Sequence, residues 1–213
     1  MKTGELITAL ANHAEAVEPR ALQRRYAMAL GWGAFGTTLL MAILLGVRPD
    51  VTEAARLPMF WVKLAFPATL FAASLLAATR LSRPGMPLGH VAAGIAAPIV
   101  AMWLLAVAAL ITAAPKELDG LIFGETWASC PLNIATISVP LFAASLWAMK
   151  GLAPTRLTLA GGAAGLLAGA GGALVYALNC PEMAAPFIAI WYVLGMLIPT
   201  VLGAILGPRL LRW

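Results

Sequence analysis

Charge is what this sequence has least of: 11% of its 213 residues are Asp, Glu, Lys or Arg, against 62% apolar. That shortage excludes an ordinary soluble domain, whose surface needs about 25% charged residues. Cysteine is nearly absent, and two residues are too few for a disulfide-rich scaffold, so they matter only if they meet. Neither belongs to a CxxC motif. The two histidines, His13 and His90, are expected on the cytoplasmic side as solvated or flanking residues. No Asp, Glu, Arg or His falls near the centre of an apolar run, and Lys63 lies near enough to the end of one to snorkel outward. Transporters and proton pumps commonly keep an ionisable residue on their pathway, so this lack disfavours transport.

What is present is a series of apolar runs, each about the twenty residues needed to cross roughly 30 Å of hydrocarbon. The spacing predicts spans at 26–46, 60–79, 91–112, 130–149, 158–178 and 186–207. The fold class expected is therefore an all-α integral membrane protein of six transmembrane helices, its partner the lipid bilayer. No cleavable signal peptide is apparent, because the run after Arg24-Arg25 is long enough to span. An even number of spans puts both termini on one side. Lys2, Arg20, Arg24, Arg25, Arg80, Arg83, Lys150, Arg156, Arg209 and Arg212 fall on that side, and Arg48, Arg56, Lys63 and Lys116 on the other, ten against four. The positive-inside rule makes both termini cytoplasmic, in the inner membrane of a bacterium. The net charge of +5 then reports topology and gives no reason to expect direct nucleic-acid binding.

Residues 1–25 form the only sizeable segment outside the membrane, ahead of a transmembrane domain over 26–213. Leu6, Ile7, Leu10, Ala14 and Val17 recur at three- and four-residue steps, which predicts a short amphipathic helix with Thr3 as N-cap and Pro19 as the stop. A helix of about 15 residues is marginal alone in water and folds against something. A lipid-surface helix is usually rich in Lys and Arg, whereas this one carries Glu5, Glu15 and Glu18 against Lys2, which favours a protein groove. A solvated tail is the alternative.

Cys130 and Cys180 organise the rest. Each precedes a proline, and two antiparallel spans joined by a short link lie between them, so both thiols are expected at one outward surface. Pro131 suits a first helical turn and places Cys130 at a helix N-terminus, where the dipole favours thiolate. Pro181 places Cys180 just past a helix end. The expected attacking sulfur is thus Cys130. Three readings stand open: a permanent disulfide, a switchable pair, or a soft-metal site completed by Glu125 or Glu182. Pro67, Pro98, Pro140 and Pro199 are expected as kinks. Gly161, Gly165 and Gly169 form a small-residue face for a close helix partner, within one bundle or across a homodimer, and Gly203 and Gly207 form a shorter one.

Lys2-Thr3-Gly4-Glu5-Leu6-Ile7, Gly46-Val47-Arg48-Pro49-Asp50, Trp127 ahead of Cys130, Cys180-Pro181-Glu182 and Arg209-Leu210-Leu211-Arg212-Trp213 occur here in that order, with six spans. In this the chain resembles the NrsF-type membrane anti-sigma factors, negative regulators of extracytoplasmic-function (ECF) sigma factors in Proteobacteria. The resemblance implies a non-enzyme without cofactor that holds a sigma factor through its N-terminal segment. It assigns response to heavy-metal or oxidative stress to Cys130 and Cys180, and partner contact to the segment carrying Leu6, Ile7 and Leu10. The family often places histidine before the second cysteine; Asn179 stands there in this chain, which counts against metal coordination more than against thiol oxidation. The competing readings are a membrane thiol oxidoreductase and a small metal exporter. The first lacks a second relay pair, and the second lacks a polar pathway.

Overall fold

The structure, a computed structural model, describes residues 3, 4, 11 and 20–212, and these contain helix but no strand. Thr3, Gly4 and Ala11 are helical, while Leu6, Ile7, Leu10, Ala14 and Val17 lie outside the described residues. The first long helix among the described residues is α1 (Ala21–Leu44), so Arg24 and Arg25 sit in the first turns of the helix instead of before it. A short α2 (Val51–Ala54) leads to α3 (Pro58–Leu81) and α4 (Val91–Thr112). Between the predicted spans 91–112 and 130–149 the chain is partly helical, with a 3-10 turn at Pro115–Glu117 running into α5 (Leu118–Phe123). Then come α6 (Cys130–Ile137), α7 (Val139–Lys150) and α8 (Leu157–Tyr176). The last crossing begins as α9 (Ala185–Phe187), widens into a π-helical turn at Ile188–Tyr192, and continues as α10 (Val193–Leu210).

Five of these helices are long and apolar enough to cross a membrane, and α6 with α7 makes a sixth if that bent pair is one span. Pro140 explains the bend of 44° between them. It lacks an N–H to donate back along the helix, and its ring crowds the carbonyl one turn earlier. Pro67, Pro98 and Pro199 are carried inside continuous helices, so a true break occurs at one of the four expected kinks.

Small residues set how closely the helices approach. A Cβ added at Gly161 would stand 2.0 Å from the Gly203 carbonyl oxygen, and one at Gly165 would stand 2.0 Å from that of Pro199. Conversely, a Cβ at Gly203 would stand 2.2 Å from the Gly161 carbonyl oxygen, and one at Gly207 2.3 Å from that of Leu157. The two glycine faces read from the sequence are each other's partner, α8 against α10. Of the two partners considered for Gly161, Gly165 and Gly169, a helix of the same bundle is the one found, since α10 lies against that face.

Gly207 beside Leu157 and Arg25 beside Trp147 put the start of α1 and the end of α10 at one end of the bundle with the α7–α8 turn. Cys130, the Arg48 segment and the 177–184 turn gather at the opposite end.

A buried thiol pair at one end of the bundle

Cys130 begins α6 and Cys180 follows the end of α8, where the sequence places them. Both are free and fully buried, and they share one cluster with Ile134, Tyr176, Phe187, Ile188 and Tyr192. Their sulfurs adjoin closely enough that each governs the ionisation of the other.

Lys63 is the residue that sequence reasoning placed wrongly. It does not snorkel: its side chain is fully buried, and Nζ donates to the Cys180 carbonyl at 2.6 Å and to the Glu182 carbonyl at 2.8 Å. The same nitrogen lies 5.6 Å from the centroid of the Tyr192 ring. A signal for this was present in the sequence. Lys63 shares a helical face with Phe60, Pro67, Leu70 and Ser74, all buried, so it lies on the inward stripe of α3. Its position five residues into the helix suggests snorkelling only when that face is ignored.

A second cation meets the same turn. Arg48 Nη1 approaches the Cys180 carbonyl at 3.4 Å, its backbone N–H donates to the Leu178 carbonyl at 3.2 Å, and its Nε donates to Asp50 Oδ1 at 2.7 Å. The Asp50 carboxylate holds the guanidinium above its ordinary value, and Arg48 in turn holds Asp50 below its own. Asn179 Nδ2 donates to the carbonyls of Leu45 and Gly46 at 3.1 and 3.0 Å, satisfying groups that the end of α1 leaves unpaired. The Gly46–Asp50 segment and the Asn179–Glu182 turn are thus two sides of one joint, tying the end of α1 to the thiols.

Ionisation favours the second thiol. The Cys130 thiol beside it is the first cause that draws Cys180 below the ordinary thiol value; burial opposes this, and the Lys63 ammonium reinforces it. Helix position alone points to Cys130 as the attacking sulfur, whereas the Lys63 ammonium bonds the turn of Cys180. A partial dipole charge of about half a unit at a helix end is weaker than a whole ammonium.

Glu182, one of the two acids considered as extra metal ligands, is engaged elsewhere, and so is the neighbouring Asn179. The Asn179 amide is spent on α1, and Glu182 Oε1 accepts from the Glu125 backbone N–H at 2.8 Å. Among the described residues no three His, Cys, Asp or Glu side chains could share a metal ion. Trp127 belongs to an aromatic cluster: its ring centroid lies 5.2 Å from Trp191 and 5.7 Å from Phe123. Trp191 Nε1 donates to the Ile122 carbonyl at 2.8 Å, fixing the 113–129 segment over this end of the bundle.

These features define a class, a multi-helix membrane-type protein carrying a dithiol and a buried lysine at one end of its bundle. The particular family follows from comparison: the model described as "Negative regulator of sigma F" (NrsF) matches residues 10–213, and this chain belongs to that family, a regulatory and not a catalytic one. It is 57% identical over 213 residues to the probable anti-sigma-F factor NrsF of Azospira oryzae, with 100% of both chains covered. It is 39% identical over 219 residues to the anti-sigma-F factor NrsF of Caulobacter vibrioides, again with 100% of both chains covered. No solved structure matches the chain.

Proposed function

We propose that this protein is a membrane-bound anti-sigma factor that holds an ECF-type sigma factor through residues 1–25 and releases it when Cys130 and Cys180 are oxidised. Full-length likeness to two anti-sigma-F factors supports the partner class. The observation that carries the sensor reading is the meeting of the two thiols at the end of the bundle opposite to the one where α1 begins. Arg24, Arg25, Arg80, Arg83, Lys150, Arg156 and Arg209 gather at the α1 start, and the positive-inside rule makes that end cytoplasmic and the thiol end periplasmic in a bacterial inner membrane. Such a compartment oxidises thiols.

Helix α1 supplies the route across. Its far end is held by Asn179 and Arg48 at the cysteine turn, and its near end by the Tyr26–Ser82 hydroxyl pair at 2.8 Å. At about 1.5 Å per residue, its 24 residues reach roughly 36 Å, so a change in the turn at Cys180 is delivered as a rigid-body shift next to the N-terminal segment.

Co-purification tests the partner. Removing residues 1–18 should leave the helical domain in the membrane and abolish capture of the sigma factor; retained capture refutes the assignment of that segment. A Cys130→Ser, Cys180→Ser protein should still capture the sigma factor but fail to release it under oxidant, read as loss of induced transcription. An unchanged induction would remove the thiols from the pathway.

A further inference from the structure

The geometry points to Lys63 as the activating residue of the thiol pair: its buried ammonium takes the Cys180 thiolate as counter-ion, making Cys180 the attacking sulfur and Cys130 the resolving one toward a small hydroperoxide. This deepens the sensor reading above and rests on it.

A fully buried lysine either sheds its proton or keeps its charge against an anion, because an unpaired buried charge is among the costliest features a fold can carry. Lys63 is fully buried, yet among the described residues the one carboxylate–cation pair is Arg48–Asp50. Two backbone carbonyls and the Tyr192 ring solvate Nζ but bring no negative charge. The groups facing the Cys180 sulfur are Cys130 from α6, Tyr176 from α8, Tyr192 from the π-helical turn, Lys63 from α3, and Arg48 from the 46–50 segment. Glu182 turns its carboxylate to the Glu125 backbone N–H. The anion that can neutralise Lys63 within this set is therefore a thiolate. Lys63 Nζ is bonded to the main chain of Cys180 itself, which holds the ammonium beside that sulfur.

The chemistry follows from the pairing. The Cys180 thiolate attacks the O–O bond of a hydroperoxide; an S–O bond forms, the O–O bond breaks, and the departing alkoxide takes the Lys63 proton to leave as an alcohol, or as water from hydrogen peroxide. The Cys130 sulfur then attacks the Cys180 sulfenic acid; an S–S bond forms, the S–O bond breaks, and the hydroxide leaves with the Cys130 proton as water. Two electrons pass from the thiols to the peroxide, and the buried ion pair is discharged. Because both cysteines are fully buried, the oxidant must be small. Lys63 thus acts twice in the first step, as counter-ion to the Cys180 thiolate and as proton donor to the departing oxygen.

The test uses full-length protein in detergent, reduced, with hydrogen peroxide as probe and dimedone trapping of sulfenic acid read by mass spectrometry. Cys130→Ser, which leaves Cys180, should react roughly tenfold faster at pH 7 than Cys180→Ser, which leaves Cys130. In the Cys130→Ser background, Lys63→Met should slow trapping by roughly tenfold and move the midpoint of its pH profile upward, and Lys63→Arg should restore part of the rate. Equal rates for the two single-cysteine proteins, or a faster Cys130, overturn the proposal without needing the lysine variants to fold. A Lys63→Met profile that superimposes on its parent overturns it as well. Sigma-factor capture and stress-induced transcription are read separately, so a passive Lys63 leaves the sensor reading standing, whereas an unresponsive cysteine pair in cells removes both.

Discussion

Helices α4 and α8 both qualify as membrane spans, and they are treated by the fold in opposite ways. The stretch Val91–Thr112 is the most apolar of the spans, and 11% of its window is buried within the protein; Leu157–Tyr176 is the least apolar, and 61% is buried. In water the order would be reversed. Where the solvent is hydrocarbon, an apolar side chain gains nothing by turning inward, so large residues such as Leu104 and Ile111 stay outside, 66% and 78% exposed. The interior goes to residues that let backbones approach, and to the few polar groups that must leave the lipid. That is why the glycine seam and the Lys63–Cys180 cluster lie on the buried side of the bundle, while the most apolar helix makes its outer wall.

The contrast can be broken most severely at the seam. Gly165→Leu would drive its side chain into the main chain of α10, where a Cβ alone stands 2.0 Å from the Pro199 carbonyl oxygen. We expect loss of folded protein, seen as failure to elute as a single species from size exclusion. A folded Gly165→Leu protein would mean that α8 and α10 do not approach as described.

Next in size is the joint beside the thiols. Asn179→Leu strips the donors from the Leu45 and Gly46 carbonyls, and leaving such groups unpaired costs about 1–3 kcal/mol. Thermal unfolding should fall accordingly, and oxidant-induced transcription should weaken while capture of the sigma factor persists. Full induction in that variant would rule out α1 as the route.

A smaller effect is expected at Asp50, whose carboxyl Arg48 holds below its ordinary value. A depressed acid contributes stability above its unfolded value and loses it as pH falls through its folded one. The melting difference between the parent and Asp50→Asn should thus be present at neutral pH and vanish in acid below the ordinary carboxylate range. A difference that grows toward acid would contradict the pairing. Smallest of all is Leu104→Ala on the lipid face of α4, expected within about 0.5 kcal/mol of the parent in detergent unfolding. A large loss there would show that α4 is covered by protein and does not face lipid.

The reasons some features were legible and others were not are physical. Span positions depend on local runs of apolar residues, and Cys130 at the head of α6 and Cys180 beyond α8 follow from the prolines beside them. Gly161, Gly165 and Gly169 announce a close partner by their four-residue step, but a step cannot name the partner, and α10 supplied it. Asn179 looked like a departure from a metal-binding pattern; its use as a clamp on Leu45 and Gly46 joins residues more than a hundred positions apart. The 44° bend was suggested at four prolines and realised at Pro140.

By itself, then, the sequence determined a helical, lipid-compatible chain with two cysteines brought to one end, because hydropathy, glycine spacing and proline position act over a few residues of contiguous chain. Only the tertiary structure decided that Lys63 is buried, that it bonds the turn carrying Cys180, and that the end of α1 is fastened to the same turn. Electrostatic effects of this kind depend on distances between separate helices and on the exclusion of water around them, and neither quantity exists until the helices have come together.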